Sequence, residues 1–133
     1  MAIGIENVWN RFLLSPLETR RFLDEIGSDY VGMYLDVGNA VYIGYPEQWI
    51  EILGHRIKKL HMSDYRFDQA GIGAFVDLFA GDVDFPAVAK AIAGIGYDDY
   101  ITLEMLPNYK QFPEVSLYAD KYAMNKIIEM IHL

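Results

Sequence analysis

The sequence predicts an α/β fold of four successive β-α units around a parallel sheet, half the number in a closed eight-stranded α/β barrel. Three observations lead there. Short apolar runs at 2–6, 30–37, 57–62 and 100–105 alternate with segments of helical periodicity, and no hairpin pattern interrupts them. The run at 30–37 is nearly continuously apolar, as expected of a parallel strand covered on both sides. Each run also carries an acid or an imidazole near its carboxyl end: Glu6, Asp36, His61 and Glu104. Parallel strands of a barrel end on one face, so side chains in these positions can serve a common site. With 133 residues against the roughly 250 of a complete barrel, the chain is expected to form a single half-barrel domain over 1–133.

The first strand, 2–6, is apolar up to Glu6. Ser15-Pro16-Leu17-Glu18 then opens a helix: Ser15 can cap it, Pro16 fits the first turn, and Glu18 stands where a capping box wants a carboxylate. Leu17, Phe22, Leu23 and Ile26 supply its apolar face, and Gly27 stops it. The strand at 30–37 is broken by Gly38-Asn39. Tyr45-Pro46 opens a second helix whose Trp49, Ile50, Ile52 and Leu53 face inward, closed by Gly54.

The third strand, 57–62, leads into Ser63-Asp64. The stretch 65–81 is long for a βα connection, where about 2–6 residues are usual, and its glycines and aromatics suit a lid or substrate-binding loop. Asp84 caps a helix through Pro86, Val88, Ala89 and Ile92 that ends near Gly94-Ile95-Gly96. The fourth strand, 100–105, precedes a last helix that starts at Pro113-Glu114 and reaches about Met130. Its expected packed positions are Leu117, Tyr118, Met124, Ile127, Ile128 and Ile131.

Hydrophobic residues make up 53% of the chain, which argues against disorder. A formal charge of -8 without a basic cluster argues against nucleic acid or an anionic membrane as partner. There is no cysteine, so disulfide and thiolate chemistry are excluded, which fits a cytoplasmic protein. No apolar run approaches the ~20 residues that span a bilayer. The chain enters a strand almost at once, without a signal-like leader, and is expected to be cut from something longer.

Three carboxylates and one imidazole form a mixed oxygen and nitrogen donor set, suited to Mn²⁺, Co²⁺, Mg²⁺ or Zn²⁺. A carboxylate buried alone at a strand end is costly, and one shared ion would relieve that cost for all of them. Partly exposed strand-end acids without any ion are the alternative.

The motifs Gly4-Ile5-Glu6-Asn7, Tyr34-Leu35-Asp36-Val37-Gly38-Asn39, Lys59-Leu60-His61-Met62-Ser63-Asp64, Gly81-Asp82-Val83-Asp84-Phe85-Pro86 and Thr102-Leu103-Glu104 resemble, in order and spacing, the second half of the xylose-isomerase-like barrel family. The similarity is nearest the sugar and sugar-phosphate 3-epimerases, including L-ribulose-5-phosphate (L-xylulose-5-phosphate) 3-epimerases and hexulose-6-phosphate isomerase-like proteins. It implies that the chain corresponds to strands five to eight of the barrel. It implies Glu6, Asp36, His61 and Glu104 as ligands of one divalent metal ion. It also implies Glu6 and Glu104 as the pair that moves a proton on and off the carbon beside the carbonyl, through an enediolate.

In the same segments Asp64 and Arg66 resemble residues that orient the substrate, with Arg66 pairing with a sugar oxygen or a phosphate. A surface ion pair is the alternative for Arg66, and support of a neighbouring ligand the alternative for Asp64. Asn39 stands where several free-sugar epimerases carry a substrate-contacting histidine, which favours another branch. Trp9 and Phe12 are expected either as a hydrophobic wall near the sugar or as strand-to-helix packing.

Three functions follow as expectations: metal-dependent epimerisation or isomerisation of a ketose phosphate, a metal-binding half-barrel of weak or no turnover, or a structural and interaction fragment without metal. Four strands leave two open edges, so a homo-oligomer that completes the barrel is expected. The DNA-repair endonuclease branch of the superfamily fits less well, for want of a histidine-rich cluster and a basic track.

Overall fold

The computed structural model describes residues 1–106 and 109–133. Strand β1 (Ile3–Glu6) is followed by helix α1 (Pro16–Ile26), β2 (Val31–Asp36), α2 (Val37–Ile43), α3 (Pro46–Leu53), β3 (Ile57–Met62) and β4 (Asp64–Tyr65). After these come β5 (Phe75–Val76), α4 (Phe85–Gly94), β6 (Ile101–Leu103) and α5 (Glu114–Ile131). One parallel sheet has the order β1-β2-β3-β6. Helices α1, α3, α4 and α5 neighbour one another in that sequence and form a layer over the sheet. The core lies between sheet and helices: Met33, Leu35, Leu60 and Met62 meet Trp49, Ile50, Leu53, Val88, Ile92 and Ile127.

The predicted caps form. Ser15 Oγ accepts the Glu18 N–H at 3.2 Å, while the Glu18 carboxylate reaches back to the Leu14 N–H at 3.1 Å. Gly27 ends α1 at φ 61°, a left-handed conformation that suits glycine. Asp84 caps α4 by accepting the Ala87 N–H at 3.1 Å.

Four features differ from the sequence expectation. Residues 37–43 do not merely break the strand; they form α2, because the Asp36 carboxylate caps the new helix through the Asn39 N–H at 2.5 Å. Its buried Val37, Ala40 and Val41 carry the i, i+3, i+4 spacing of a helix face. Second, β4 and β5 make a short antiparallel pair, so a hairpin-like element lies within the long connection. Third, the last strand is only three residues long, although the Glu104 N–H still bonds the Met62 carbonyl at 2.9 Å.

The fourth difference concerns helix faces. Helix α5 buries Ser116, Asp120, Ala123, Met124 and Ile127, leaving Leu117, Tyr118 and Ile128 exposed. The expected Met124 and Ile127 are buried and Ile131 packs against the core, but the inward stripe continues through the polar Ser116 and Asp120, which apolarity alone does not mark. Leu17 and Ile26 of α1 are likewise exposed. The edges β1 and β6 have no neighbouring strand among the described residues, and beside β6 a groove of about 420 Å³ lies against Leu117 and Tyr118. Among the described residues no helix is long and apolar enough to cross a membrane.

Candidate metal centre

The sheet register explains how four distant residues meet. Asp36 at the end of β2 stands opposite His61 on β3. On one side β1 ends at Glu6; on the other, Glu104 follows β6 directly. Each of the four residues offers one ligand atom within 4.8 Å of all the others. His61 Nδ1 lies 2.8 Å from Glu104 Oε2, 3.0 Å from Glu6 Oε1 and 4.0 Å from Asp36 Oδ2. The Tyr34 ring packs 4.0 Å from the imidazole, centroid to centroid, and its hydroxyl donates to Thr102 Oγ1 at 3.1 Å.

One ring nitrogen therefore faces three carboxylates, and a single N–H cannot satisfy them all. Burial pushes the Asp36 carboxyl up to about 7, with the Glu104 carboxylate adding to the rise, against the Asn39 N–H and Ser63 hydroxyl that favour its ionised form. A divalent ion answers both problems. At metal–oxygen and metal–nitrogen distances of about 2.1 Å, opposed ligand atoms stand about 4.2 Å apart. The four ligand atoms, all within 4.8 Å of one another, lie close to that spacing. The donor set fits an ion.

Two residues that the sequence reading left without a role hold Asp36 in place. Asn7 is buried beyond the end of β1. Its side-chain amide donates to the Asp36 carbonyl at 2.9 Å and accepts the Asp36 N–H at 2.8 Å, extending the β1–β2 ladder by one rung. The Ser63 hydroxyl lies 2.9 and 3.0 Å from the two Asp36 oxygens and accepts the Gly38 N–H at 3.1 Å. A Cβ at Gly38 would overlap Ser63 Oγ, so this close approach needs glycine. The signals were present, since Asn7 follows Glu6 and Ser63 lies two residues after His61.

A cavity of about 260 Å³ opens at the cluster, lined by Asp36, Asn39 and Glu104 together with Trp9, Ile72 and Phe75. Trp9 packs on Tyr42 and Phe75, with ring centroids 4.9 and 5.4 Å away. Trp9 and Asn39 thus border the site. Phe12 does not; it packs edge-on against Phe22 of α1.

Neither Asp64 nor Arg66 lines this cavity. Asp64 is fully buried, and its oxygens accept the N–H groups of Tyr65, Gly81 and Val83, so it serves the backbone of the following loop. The guanidinium of Arg66 is engaged by both carboxylate oxygens of Asp68, at 2.6 and 3.0 Å, and does not line the cavity. The surface-pair alternative describes its placement.

Solved structures resemble this chain across nearly its whole length. A xylose isomerase domain protein from Planctomyces limnophilus superposes with a TM-score of 0.78 at 18% identity, covering 99% of this chain and 46% of that one. A D-tagatose 3-epimerase-like protein gives 0.79 at 21% identity, with 99% and 48% covered. The IolI protein, solved with a bound zinc atom, gives 0.73 at 19% identity, with 85% and 43% covered. At these identities the likeness establishes the fold, half of a TIM barrel, and the chain spans about half the length of the proteins it matches. No curated protein matches the chain. The family model for the xylose isomerase-like TIM barrel matches residues 1–124, and the chain belongs to that family.

Proposed function

We propose that this chain is the metal-carrying half of a sugar epimerase or isomerase barrel, and that alone it binds one divalent ion but turns ketoses over weakly or not at all. The observation that carries the reading is the convergence of Glu6, Asp36, His61 and Glu104 within 4.8 Å at one end of the sheet. The three-oxygen, one-nitrogen set supports Mn²⁺, Co²⁺, Mg²⁺ or Zn²⁺ as the ion. When bound, the ion polarises a carbonyl and stabilises the negative charge that develops on its oxygen.

The remaining chemistry falls to the chain's own acids. Glu6 and Glu104 follow from the two outermost strands, so they approach the cluster from opposite sides. One carboxylate takes the proton from the carbon beside the carbonyl, leaving an enediolate, and the other returns a proton from the opposite face. The aromatic lining of the cavity, with Trp9, supports binding of the carbon-rich part of a sugar, and Asn39 in the same lining supports a hydrogen bond to a hydroxyl. Arg66, held by Asp68, lends no support to phosphate binding by this half, so phosphate recognition in a ketose-phosphate enzyme would belong to groups outside the described cavity.

A half-barrel leaves the cavity unenclosed, which supports low turnover by the chain alone. The two free parallel edges, β1 and β6, support completion by a second copy. Native mass spectrometry of the chain, with and without Mn²⁺, tests the reading. One ion per chain, lost in Asp36→Ala and His61→Ala, is expected. Deuterium uptake from solvent into a pentulose should be slow or undetectable. A chain that takes up no stoichiometric ion overturns the proposal.

A further inference from the structure

We infer that Asp64 and Asp120 form a carboxylate clamp that positions the segment 77–83, and through it the apolar wall formed by Ile72, Phe75 and Val76. The inference deepens the metal-site reading and rests on it for the function of that wall. Asp64 follows the strand that carries His61, while Asp120 lies on the helix that follows Glu104. The two acids therefore tie the wall to the units that bear two of the candidate ligands.

The contacts are directional. Asp64 Oδ2 accepts the Gly81 N–H at 2.8 Å, and its Oδ1 accepts the Val83 N–H at 3.2 Å. Asp120 Oδ1 accepts the Leu78 N–H at 2.8 Å. Between these anchor points Phe79 adopts φ 70°, a left-handed conformation that a bulky side chain takes only when its surroundings impose it. Gly81 is pressed so closely on Asp64 that a Cβ would collide with the carboxylate. The segment is thus bent and held from two sides. The wall immediately precedes it, and Ile72, Phe75 and Val76 share the cavity with Asp36 and Glu104.

Stability alone does not explain Asp120. It is 1% exposed, and neither its Oδ2 nor the buried Ser116 Oγ one turn earlier has a hydrogen-bond partner among the described residues. An apolar side chain would remove the half-satisfied carboxylate but leave the buried Leu78 N–H without its partner, so the gain and the loss are of the same order. What an apolar side chain cannot do is fix the direction of the Leu78 N–H. Asp120 is therefore a positioning residue, acting on the site through the loop.

The test uses the 133-residue chain and its Asp120→Leu and Asp120→Asn variants, read by hydrogen exchange and by acrylamide quenching of Trp9 in a Trp49→Phe background. In Asp120→Leu, exchange across 72–83 should quicken by about tenfold, as expected for the loss of one hydrogen bond to a charged group. Trp9 should become more quenchable, while protection of β2 and β3 holds. Asp120→Asn, which keeps an acceptor for Leu78, should restore wild-type exchange. Unchanged exchange and quenching in Asp120→Leu overturn the clamp, as does a loss of protection spread evenly over the sheet. If Asp120→Leu fails to fold, Asp64→Asn, with amide exchange at 79–83, decides on the same criteria. Mn²⁺ binding is measured in parallel: a chain without Mn²⁺ binding but with the expected exchange pattern refutes the metal reading and leaves the clamp standing.

Discussion

Replacing Asn7 with alanine tests whether the candidate centre depends on a backbone mimic beyond the end of β1. The Asn7 amide makes two hydrogen bonds with the backbone of Asp36, at 2.8 and 2.9 Å, where Asp36 is completely buried and Asn7 is 5% exposed. Alanine removes both partners at once. A buried backbone group left unpaired costs about 1–3 kcal/mol, so two cost roughly 2–6 kcal/mol, less where water reaches them. For a chain of this size the entropy of unfolding is about 0.28 kcal/mol per kelvin at the midpoint, so a loss of about 3 kcal/mol lowers Tm by about 10 °C. Thermal and urea unfolding of the metal-free chain measure it. Because the same bonds place the Asp36 carboxylate, Mn²⁺ affinity should fall by about tenfold or more. Asn7→Asp should lose more stability than Asn7→Ala, since it keeps the acceptor, discards the donor and adds a charge beside Asp36. A drop of less than about 2 °C in Asn7→Ala would refute the reasoning.

The metal-free chain should lose stability as pH rises from about 4 to about 7. Asp36 keeps its proton in the fold up to about 7, whereas the unfolded chain releases it near 3.8, so the folded state binds the extra proton across that window. The contribution is at most about 4 kcal/mol, and burial moves Asp64 and Asp120 in the same direction. Urea midpoints with chelator at several pH values check this, and a flat profile, or one unchanged by Asp36→Asn, counts against it. Gly38→Ala should destabilise by about 1–3 kcal/mol through overlap with Ser63 Oγ, and Ser63→Ala in that background should recover part of the loss. Denaturation of the single and double variants decides it; simple additivity would show that the two positions do not touch.

Much of the architecture was legible because the signals are local. Ser15, Gly27 and Asp84 act on their own helix ends through bonds a few residues long, and alternation of strand and helix follows from patterns that repeat within ten residues. Helix α2 was missed because Gly38-Asn39 reads as a breaker, although the cap is the very Asp36 proposed as a ligand. In α5 the expected Met124, Ile127 and Ile131 pack inward, while Leu117 and Tyr118 do not, because apolar periodicity cannot anticipate that Ser116 and Asp120 are buried positions. Asp64 and Arg66 sit next to a candidate ligand in sequence, yet proximity along the chain does not set direction: one carboxylate turns into the loop backbone and one guanidinium into Asp68.

The sequence by itself determined the residue types at the strand ends, and so the donor set, because a parallel strand delivers its last side chains to one face whatever surrounds it. Only the tertiary structure decided that the four atoms lie within 4.8 Å, that Asn7 and Ser63 hold Asp36, and that the long connection folds back as the wall of a cavity. Those outcomes depend on register between strands far apart in sequence, as in the contact of Tyr34 with Thr102, 68 residues on. Register follows from packing of the whole sheet against its helices, a property that no segment carries alone.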